Sequence, residues 1–508
     1  MWRPDPKLKS PYLYLGIILI FAFFLRLSYL LEFRQTVFFN ASLMTKYDQR
    51  TFDNWAGKIV KNPWVGDGKL FYMAPGYPYF VATIYKISGN SYFAVGFIQI
   101  LLDTLLLLLL FLLGKWLFNE RVGLLASLFA AFYRPFIFYS VTLLSDSLIL
   151  FLNILVIFIV YWALRKRDYR RVLVRWTGWR WVLVGLVMGL SALVKPTVLL
   201  FLPFLLIGLC FYPERNLNPF LAWGILVLLM AMIISPATIR NWQVSDQFVP
   251  ICSNGPANYK IGNSLDSIGL YIAPEKPLAP LFSKVFWKLQ GNKFLLFFNS
   301  YEWPQNLFIY LLAKITRTLK LPLFGFGLVV PLGILGLFLS LNKKSLLLFF
   351  FTLCNIIWVI AFFVTSRYRL PAVGCLILFA AFFIDWLFFK VKERKYIPVV
   401  VVLFVSFFLF SFVNNWRGEK IGSVHLETFS FLTYKNVNNG IAEGNFPLAL
   451  KRAKSLVSLL PSSPLGHELL ATVYLNLGEF DLARKEVELT LKYDPEAQGA
   501  KKILSLLN

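Results

Sequence analysis

"PYLYLGIILIFAFFLRLSYLL" (Pro11–Leu31) decides the class of this chain. It is an apolar run interrupted by one arginine, and ~20 helical residues cross ~30 Å of hydrocarbon. It is too long for the apolar core of a signal peptide and has no small-residue cleavage site, so it reads as a retained span. The rest of the chain repeats the pattern. Of 508 residues, 58% are hydrophobic and 15% charged, with a mean hydropathy of +0.65, whereas soluble domains carry about a quarter charged residues. Eleven spans are expected, roughly 12–31, 91–113, 121–138, 146–164, 181–195, 197–212, 219–236, 320–341, 345–364, 370–389 and 396–413. The expected fold class is therefore an all-α polytopic membrane protein, with a membrane domain over 1–413 and a small helical domain over 414–508.

The net charge of +25 is explained by cytoplasmic loops, which collect Lys and Arg, and not by nucleic acid. With "MWRPDPKLK" (1–9) inside, the loops "GKWLFNER" (114–121), "RKRDYRRVLVRWTGWR" (165–180), "YPERN" (212–216), "NKK" (342–344) and "KVKERK" (390–395) all fall inside. That leaves 32–90, 139–145, 237–319, the turn Ser366–Arg369 and everything beyond 414 outside. Segment 75–90, "PGYPYFVATIYKISGN", would invert every later loop if it crossed, so it is expected to lie in the interface. Four cysteines in apolar runs or loops and two late histidines give neither a disulfide framework nor a zinc spacing. No Walker, GxSxG, HExxH, Rossmann or Asp-x-Asp pattern occurs, which disfavours nucleotide-driven chemistry.

Polar residues gather on the outer side. In "KYDQRTFDNWAGKIV" (46–60), Asp48, Phe52, Trp55 and Ile59 form one helical stripe. This is expected to be an amphipathic helix lying on the membrane, with Asp48 at its leading end. A helix N-cap explains that aspartate as well as a catalytic carboxylate does. Asp146 opens the fourth span, Lys195 sits between the fifth and sixth, Arg240 and Asn241 close the seventh, and Arg367 and Arg369 occupy the turn before the tenth. Charged groups otherwise concentrate at span ends, which argues against a transporter, because such groups inside a membrane mark ion and substrate paths. Snorkelling to lipid phosphates accounts for any single cation, but four together suit a bound phosphate or pyrophosphate. The outer loop "ICSNGPANYKIGNSLDSIGLYIAP" (251–274) reads equally as a turn-rich connection or as a binding loop for hydroxyl-rich ligands, through Asn254, Tyr259 and Asn263.

Near the end, "GNFPLALKRAKSLVSLLP" (444–461) and "GEFDLARKEVELTLKYDP" (478–495) align at an offset of 34 residues, a period similar to that of tetratricopeptide repeats. They are expected to be extracytoplasmic and to dock a protein partner.

"DQRTFDNWA", "FYMAPGYPYFVA", "SPATIRNWQV…GPANYKIGN" and "SRYRLPA", in this order, resemble the GT-C class of membrane glycosyltransferases. Within it they resemble the bacterial branch of the dolichyl-phosphate-mannose–protein mannosyltransferase family (glycosyltransferase family 39), related to the lipid A aminoarabinose transferase. The resemblance spans about 10–385. It implies a polyprenyl-phosphate-linked sugar donor, an acceptor protein, lipid or glycan, and inversion at the anomeric carbon. Asp48 would be the catalytic base and Asp146 a second catalytic acid. Arg367 and Arg369, helped by Lys195 and Arg240, would bind the donor phosphate. Phe52 stands where the family more often has tyrosine, and Ala74 where the aminoarabinose transferase has lysine. No particular cofactor is implied, and a divalent metal is left open. The expected location is the inner (plasma) membrane, in contact with membrane lipids and no nucleic acid. The rival readings are an O-antigen ligase or polymerase, and a transporter or assembly scaffold that docks partners through its repeats.

Overall fold

A computed structural model describes residues 10–41, 44, 47–64, 68–165, 178–213, 218–415 and 422–507. The N-terminal nonapeptide, most of the basic loop 165–180 and residues 214–216 of "YPERN" lie outside the described residues, as does the side chain of His425. Of the described residues, 76% are helical. In chain order, the first half holds α1 (Pro11–Phe33), α2 (Asp48–Lys61), α3 (Gly76–Ser88), α4 (Tyr92–Leu117), α5 (Glu120–Phe132), α6 (Arg134–Tyr139), α7 (Asp146–Leu164), α8 (Gly178–Val194), α9 (Phe201–Phe211) and α10 (Pro219–Ser245). The second half holds α11 (Gly255–Asn263), α12 (Lys284–Phe298), α13 (Ile309–Ile315), α14 (Phe326–Leu339), α15 (Leu346–Ala361), α16 (Ser366–Lys392) and α17 (Tyr396–Asn414). Five further helices follow: α18 (Gly422–Ala442), α19 (Phe446–Leu459), α20 (Pro464–Leu477), α21 (Phe480–Tyr493) and α22 (Gln498–Leu507).

Among the described residues, six helices, α1, α4, α7, α10, α16 and α17, are long and apolar enough to cross a membrane, and α8, α9, α14 and α15 are shorter apolar helices. The expected spans therefore coincide with helices, with local differences that have local causes. Span 121–138 breaks at Tyr133 (φ −75°, ψ 111°), between α5 and α6. Pro135 is the cause, since it has no N–H and crowds the preceding turn. The carbonyls of Ala130 and Ala131 stranded by that break accept hydrogen bonds from the Arg26 guanidinium, both at 3.1 Å. Arg26 also pairs with Asp103, and both are buried within their helices α1 and α4. This pair is an exception to the concentration of charges at span ends. The pair closes a broken helix, a structural need that does not require an ion path.

Two compact units result. The first comprises Met1–Leu27, Asn54–Leu307 and Pro322–Arg417, and the second Ser28–Asp53, Phe308–Leu321 and Gly418–Asn508. In the first unit α16 is the central helix, buried along most of its length, with α14, α15, α5 and α7 packed around it. Segment 75–90 forms α3, whose 13 residues span only ~20 Å. It does not lie free in an interface: Tyr77, Pro78, Val81, Ala82 and Tyr85 are buried in protein. The same holds for α2. Its stripe residues Phe52 and Ile59, and Ala56 beside them, are buried, so the apolar side is covered by protein and not by headgroups.

In the second unit, α19 and α21 are 14-residue helices offset by 34 positions. Each is preceded by a glycine in the left-handed region, Gly444 (φ 72°) and Gly478 (φ 78°). A residue without Cβ adopts that conformation at little cost, which is why both segments begin with Gly.

Candidate functional site

Three of the expected site residues meet at the head of α16. Asp146 is the first residue of α7, where a carboxylate is favoured by the helix dipole. Its Oδ2 accepts a hydrogen bond from Arg367 Nε at 2.9 Å, and both side chains are buried (0% and 4% exposed). Asp146 Oδ1 is also buried but has no hydrogen-bond partner among the described residues. Lys195 follows α8 and places its Nζ 3.4 Å from the centre of the Tyr368 ring, while the Arg367 guanidinium lies 5.6 Å from the same ring. Tyr368 thus gathers two cations beside one carboxylate.

Tyrosines complete this cluster. Tyr139 shares a 2.7 Å hydrogen bond with Ser366, the first residue of α16. Tyr77 donates to Gln99 Oε1 (2.8 Å), and Gln99 Nε2 donates to the carbonyls of Ser140 and Thr142. This ties α3 and α4 to the loop leading into Asp146. Both tyrosines feel the charges of Asp146 and Arg367.

Arg369 takes a different course from Arg367. The expected turn 366–369 is the first turn of α16, where residues two apart point ~200° from one another. Arg369 therefore faces the opposite way. It donates to the carbonyls of Phe297 (3.1 Å), Asn299 (2.6 Å) and Tyr301 (2.8 Å) and to Glu302 Oε2 (2.7 Å). Burial pushes the Glu302 carboxyl above the ordinary carboxylate range, against the pull of Arg369 and Arg134. The Trp303 carbonyl also accepts from Ser366 N–H (2.9 Å), capping α16. Arg369 thus fastens the 297–302 loop to this helix. The phosphate-holding role expected for it is corrected to a positioning one.

Arg240 and Asn241 lie inside α10, which runs nine residues beyond the expected span end at 236, through to Ser245. Arg240 is 2% exposed, donates to the Lys69 carbonyl and covers the Phe71 ring at 3.9 Å. Asn241 accepts from Phe71 N–H (3.2 Å) and donates to the carbonyls of Val249 and Ile251. With Ser253 and Asn254 N–H donating to the carbonyls of Phe71 and Tyr72, these contacts stitch the 69–72 strip to the outer loop. Asn263 is likewise engaged. It donates to the carbonyls of Tyr259 and Ala361 and accepts from Gln290 Nε2 and Lys293 Nζ, each at 2.9 Å. The Tyr259 ring stands edge-on to Phe362. These loop residues bind one another and the end of α15.

Arg240 closes one side of a cavity of about 570 Å³, otherwise lined mainly by apolar groups such as Phe71, Tyr79, Leu148, Val194 and Ile233. Gly76 permits its wall: a Cβ there would fall 2.8 Å from the Leu193 carbonyl group. Leu148 and Val194 are near neighbours in sequence of Asp146 and Lys195. An apolar cavity with a guanidinium on its wall, continuous in chain with a carboxylate–cation cluster, suits a ligand with a hydrocarbon tail and an anionic head.

Asp48 is the first residue of α2, half-buried, and belongs to the second unit. Its neighbour Gln49, which no sequence pattern singles out, is 2% exposed, and neither amide atom is hydrogen-bonded among the described residues. Lys293 was also missed. It is buried in contact with Asn263 and the carbonyls of Ala361 and Phe362, and burial lowers its pKa to about 7. No group of three or more His, Cys, Asp or Glu side chains fit to hold a metal occurs among the described residues.

The long apolar helices define a polytopic membrane protein. Residues 73–239 match the family model of dolichyl-phosphate-mannose-protein mannosyltransferases. No curated protein sequence matches. Among solved structures, the chain is similar to the oligosaccharyltransferase of Archaeoglobus fulgidus tethered to an acceptor peptide, with 12% identity and a TM-score of 0.47, covering 88% of this chain and 59% of that one. It is also similar to ArnT of Cupriavidus metallidurans bound to undecaprenyl phosphate, with 12% identity and a TM-score of 0.46, covering 98% and 88% of the two chains. The chain thus spans about three fifths of the length of the oligosaccharyltransferase it matches.

Proposed function

We propose that this protein is a glycosyltransferase that moves a sugar from a polyprenyl-phosphate-linked donor to an acceptor at the extracytoplasmic face of the membrane. One coincidence carries the reading. The segment that matches the mannosyltransferase family, 73–239, supplies most of the cation-flanked apolar cavity (residues 63–240) as well as Asp146 and Lys195. In this reading the first isoprene units of the donor lie in the cavity. Arg240, Lys195 and Arg367 face the phosphate, and Asp146 Oδ1 accepts a hydrogen bond from a sugar hydroxyl.

The reaction balances without a nucleotide. An acceptor oxygen attacks the anomeric carbon from the side opposite the phosphate, Asp48 takes its proton, and the bond from carbon to phosphate oxygen breaks. The configuration inverts. The departing phosphate goes from a diester with one negative charge to a monoester approaching two, and preorganised cations stabilise charge that develops in this way. General-base catalysis by Asp48 contributes ~10²–10⁴ in rate. The helices after 422 are proposed to be extracytoplasmic tetratricopeptide-like repeats that dock a partner.

Purified protein in proteoliposomes, given radiolabelled polyprenyl-phosphate sugars and an envelope extract as acceptor, tests the proposal. Transfer by the wild type that is lost in Asp48→Asn and Lys195→Gln variants of normal thermal stability supports it. Undiminished transfer by those variants removes it.

A further inference from the structure

The second unit has a polar cavity of its own, of about 410 Å³. Its walls come from the end of α1 (Glu32) and the residues just after it (Gln35, Thr36), from Arg317 after α13, and from Lys451 and Arg452 of α19. Local hydrogen bonds shape it. Thr36 Oγ1 donates to the Phe33 carbonyl (2.8 Å), Lys451 Nζ reaches Gln35 Oε1, and Arg452 lies against the carbonyls of Gln35 and Thr36. Phe38 stacks on Phe429 at 5.8 Å below them.

Charge and depth together say what fits. Three cations face one carboxylate, Glu32, and that carboxylate already accepts from Thr318 N–H at 3.0 Å. Burial strips water from the Arg452 guanidinium, lowering its pKa against the pull of Glu443. Such a cation gains from an anion that restores its lost hydration. A hollow on the outer face of α19 shares Lys451 and Ser455 and adds Lys454, extending the basic surface. Depth follows from α1. Its 23 residues cover ~34 Å, close to the ~30 Å of bilayer hydrocarbon, and Glu32 and Phe33 are its last residues. The cavity therefore opens where this span leaves the hydrocarbon, at the level of lipid headgroups.

We propose that this cavity binds the phosphate headgroup of an anionic membrane lipid, tethering α19 to the membrane surface. The assignment is independent of the catalytic reading.

The test uses the full-length protein in nanodiscs of phosphatidylcholine with graded phosphatidylglycerol. Native mass spectrometry counts the retained anionic lipid, and inorganic phosphate is offered in a separate arm. Wild type is expected to retain phosphatidylglycerol over phosphatidylcholine, with millimolar inorganic phosphate displacing little of it. At ~1 kcal/mol per basic residue near a lipid surface, Arg317→Gln/Lys451→Gln/Arg452→Gln weakens retention on the order of a hundredfold. Lys451→Gln alone, at an exposed position, weakens it on the order of fivefold and keeps the test alive if the triple variant misfolds. Lys485→Gln/Lys501→Gln/Lys502→Gln, which removes equal charge elsewhere, changes it less than twofold. Equal losses in the pocket and control variants, or no loss in either, overturn the proposal. Ready displacement by inorganic phosphate overturns the lipid assignment in favour of a free-anion site.

Discussion

Breaking the Asp146–Arg367 pair probes the heart of the site. The two groups meet at 2.9 Å with side chains 0% and 4% exposed, so neither can exchange its partner for water. Removing one member of a buried pair costs ~3–5 kcal/mol, because the other is left as an uncompensated buried charge. Asp146→Asn takes the carboxylate from a buried guanidinium, and Arg367→Gln takes the cation from a carboxylate whose other oxygen has no hydrogen-bond partner among the described residues. Either single variant should lower the apparent unfolding temperature in detergent by roughly 6–10 °C, at ~2 °C per kcal/mol for a large chain. The double variant Asp146→Asn/Arg367→Gln has neutral groups at both positions. It should cost no more than either single change, which a double-mutant cycle reads as strong coupling. Differential scanning fluorimetry on the four proteins is sufficient. Additive losses, or single losses below ~1 kcal/mol, would refute the claim that these groups are a desolvated pair and not two independent cavity residues.

Other consequences are accessible. Gly76→Ala forces α3 off the end of α8, since the added methyl carbon meets the Leu193 carbonyl group at 2.8 Å. It should weaken binding of a fluorescent polyprenyl phosphate by at least tenfold while leaving the helix content seen by circular dichroism unchanged. Arg369→Lys should cost stability by losing the fork that holds three carbonyls and Glu302, and limited proteolysis should then cut near 297–302. Lys293 has a pKa lowered from 10.5 to about 7. Below pH 7 it is charged in both the folded and unfolded states, and the fold bears the full desolvation cost. Between about 7 and 10.5 the unfolded chain alone binds the proton, so stability rises with pH across this window. Lys293→Met should abolish that rise in a pH series of unfolding temperatures.

Much of the fold was legible because hydrocarbon imposes one strong pattern, and the apolar runs became helices in their expected places. The 34-residue offset was equally legible, since glycine and proline mark the ends of α19 and α21. The sequence reading also marked out Asp146, Lys195 and Arg367, which lie together around Tyr368. What it could not supply was direction. It took 366–369 as a turn with two arginines sharing one ligand, but α16 begins there and sends them to opposite sides. It placed Arg26 in a span without seeing that Pro135, more than a hundred residues away, strands the carbonyls Arg26 must satisfy. Tyr368, Gln49 and Lys293 carry no pattern of their own. Their importance comes from burial and neighbours, which arise only when distant segments meet.

The central claim is that a prenyl chain lies in the cavity walled by α3, α8 and α10 with its phosphate toward Arg240. A polyprenyl phosphate bearing a photoreactive diazirine on its first isoprene unit, irradiated with the purified protein, tests it directly. Peptide mapping should find the label within 71–83, 190–194 and 233–240, and excess unlabelled polyprenyl phosphate should suppress it. Labelling confined to the exposed outer faces of α1 and α17, indifferent to competitor, would contradict the account.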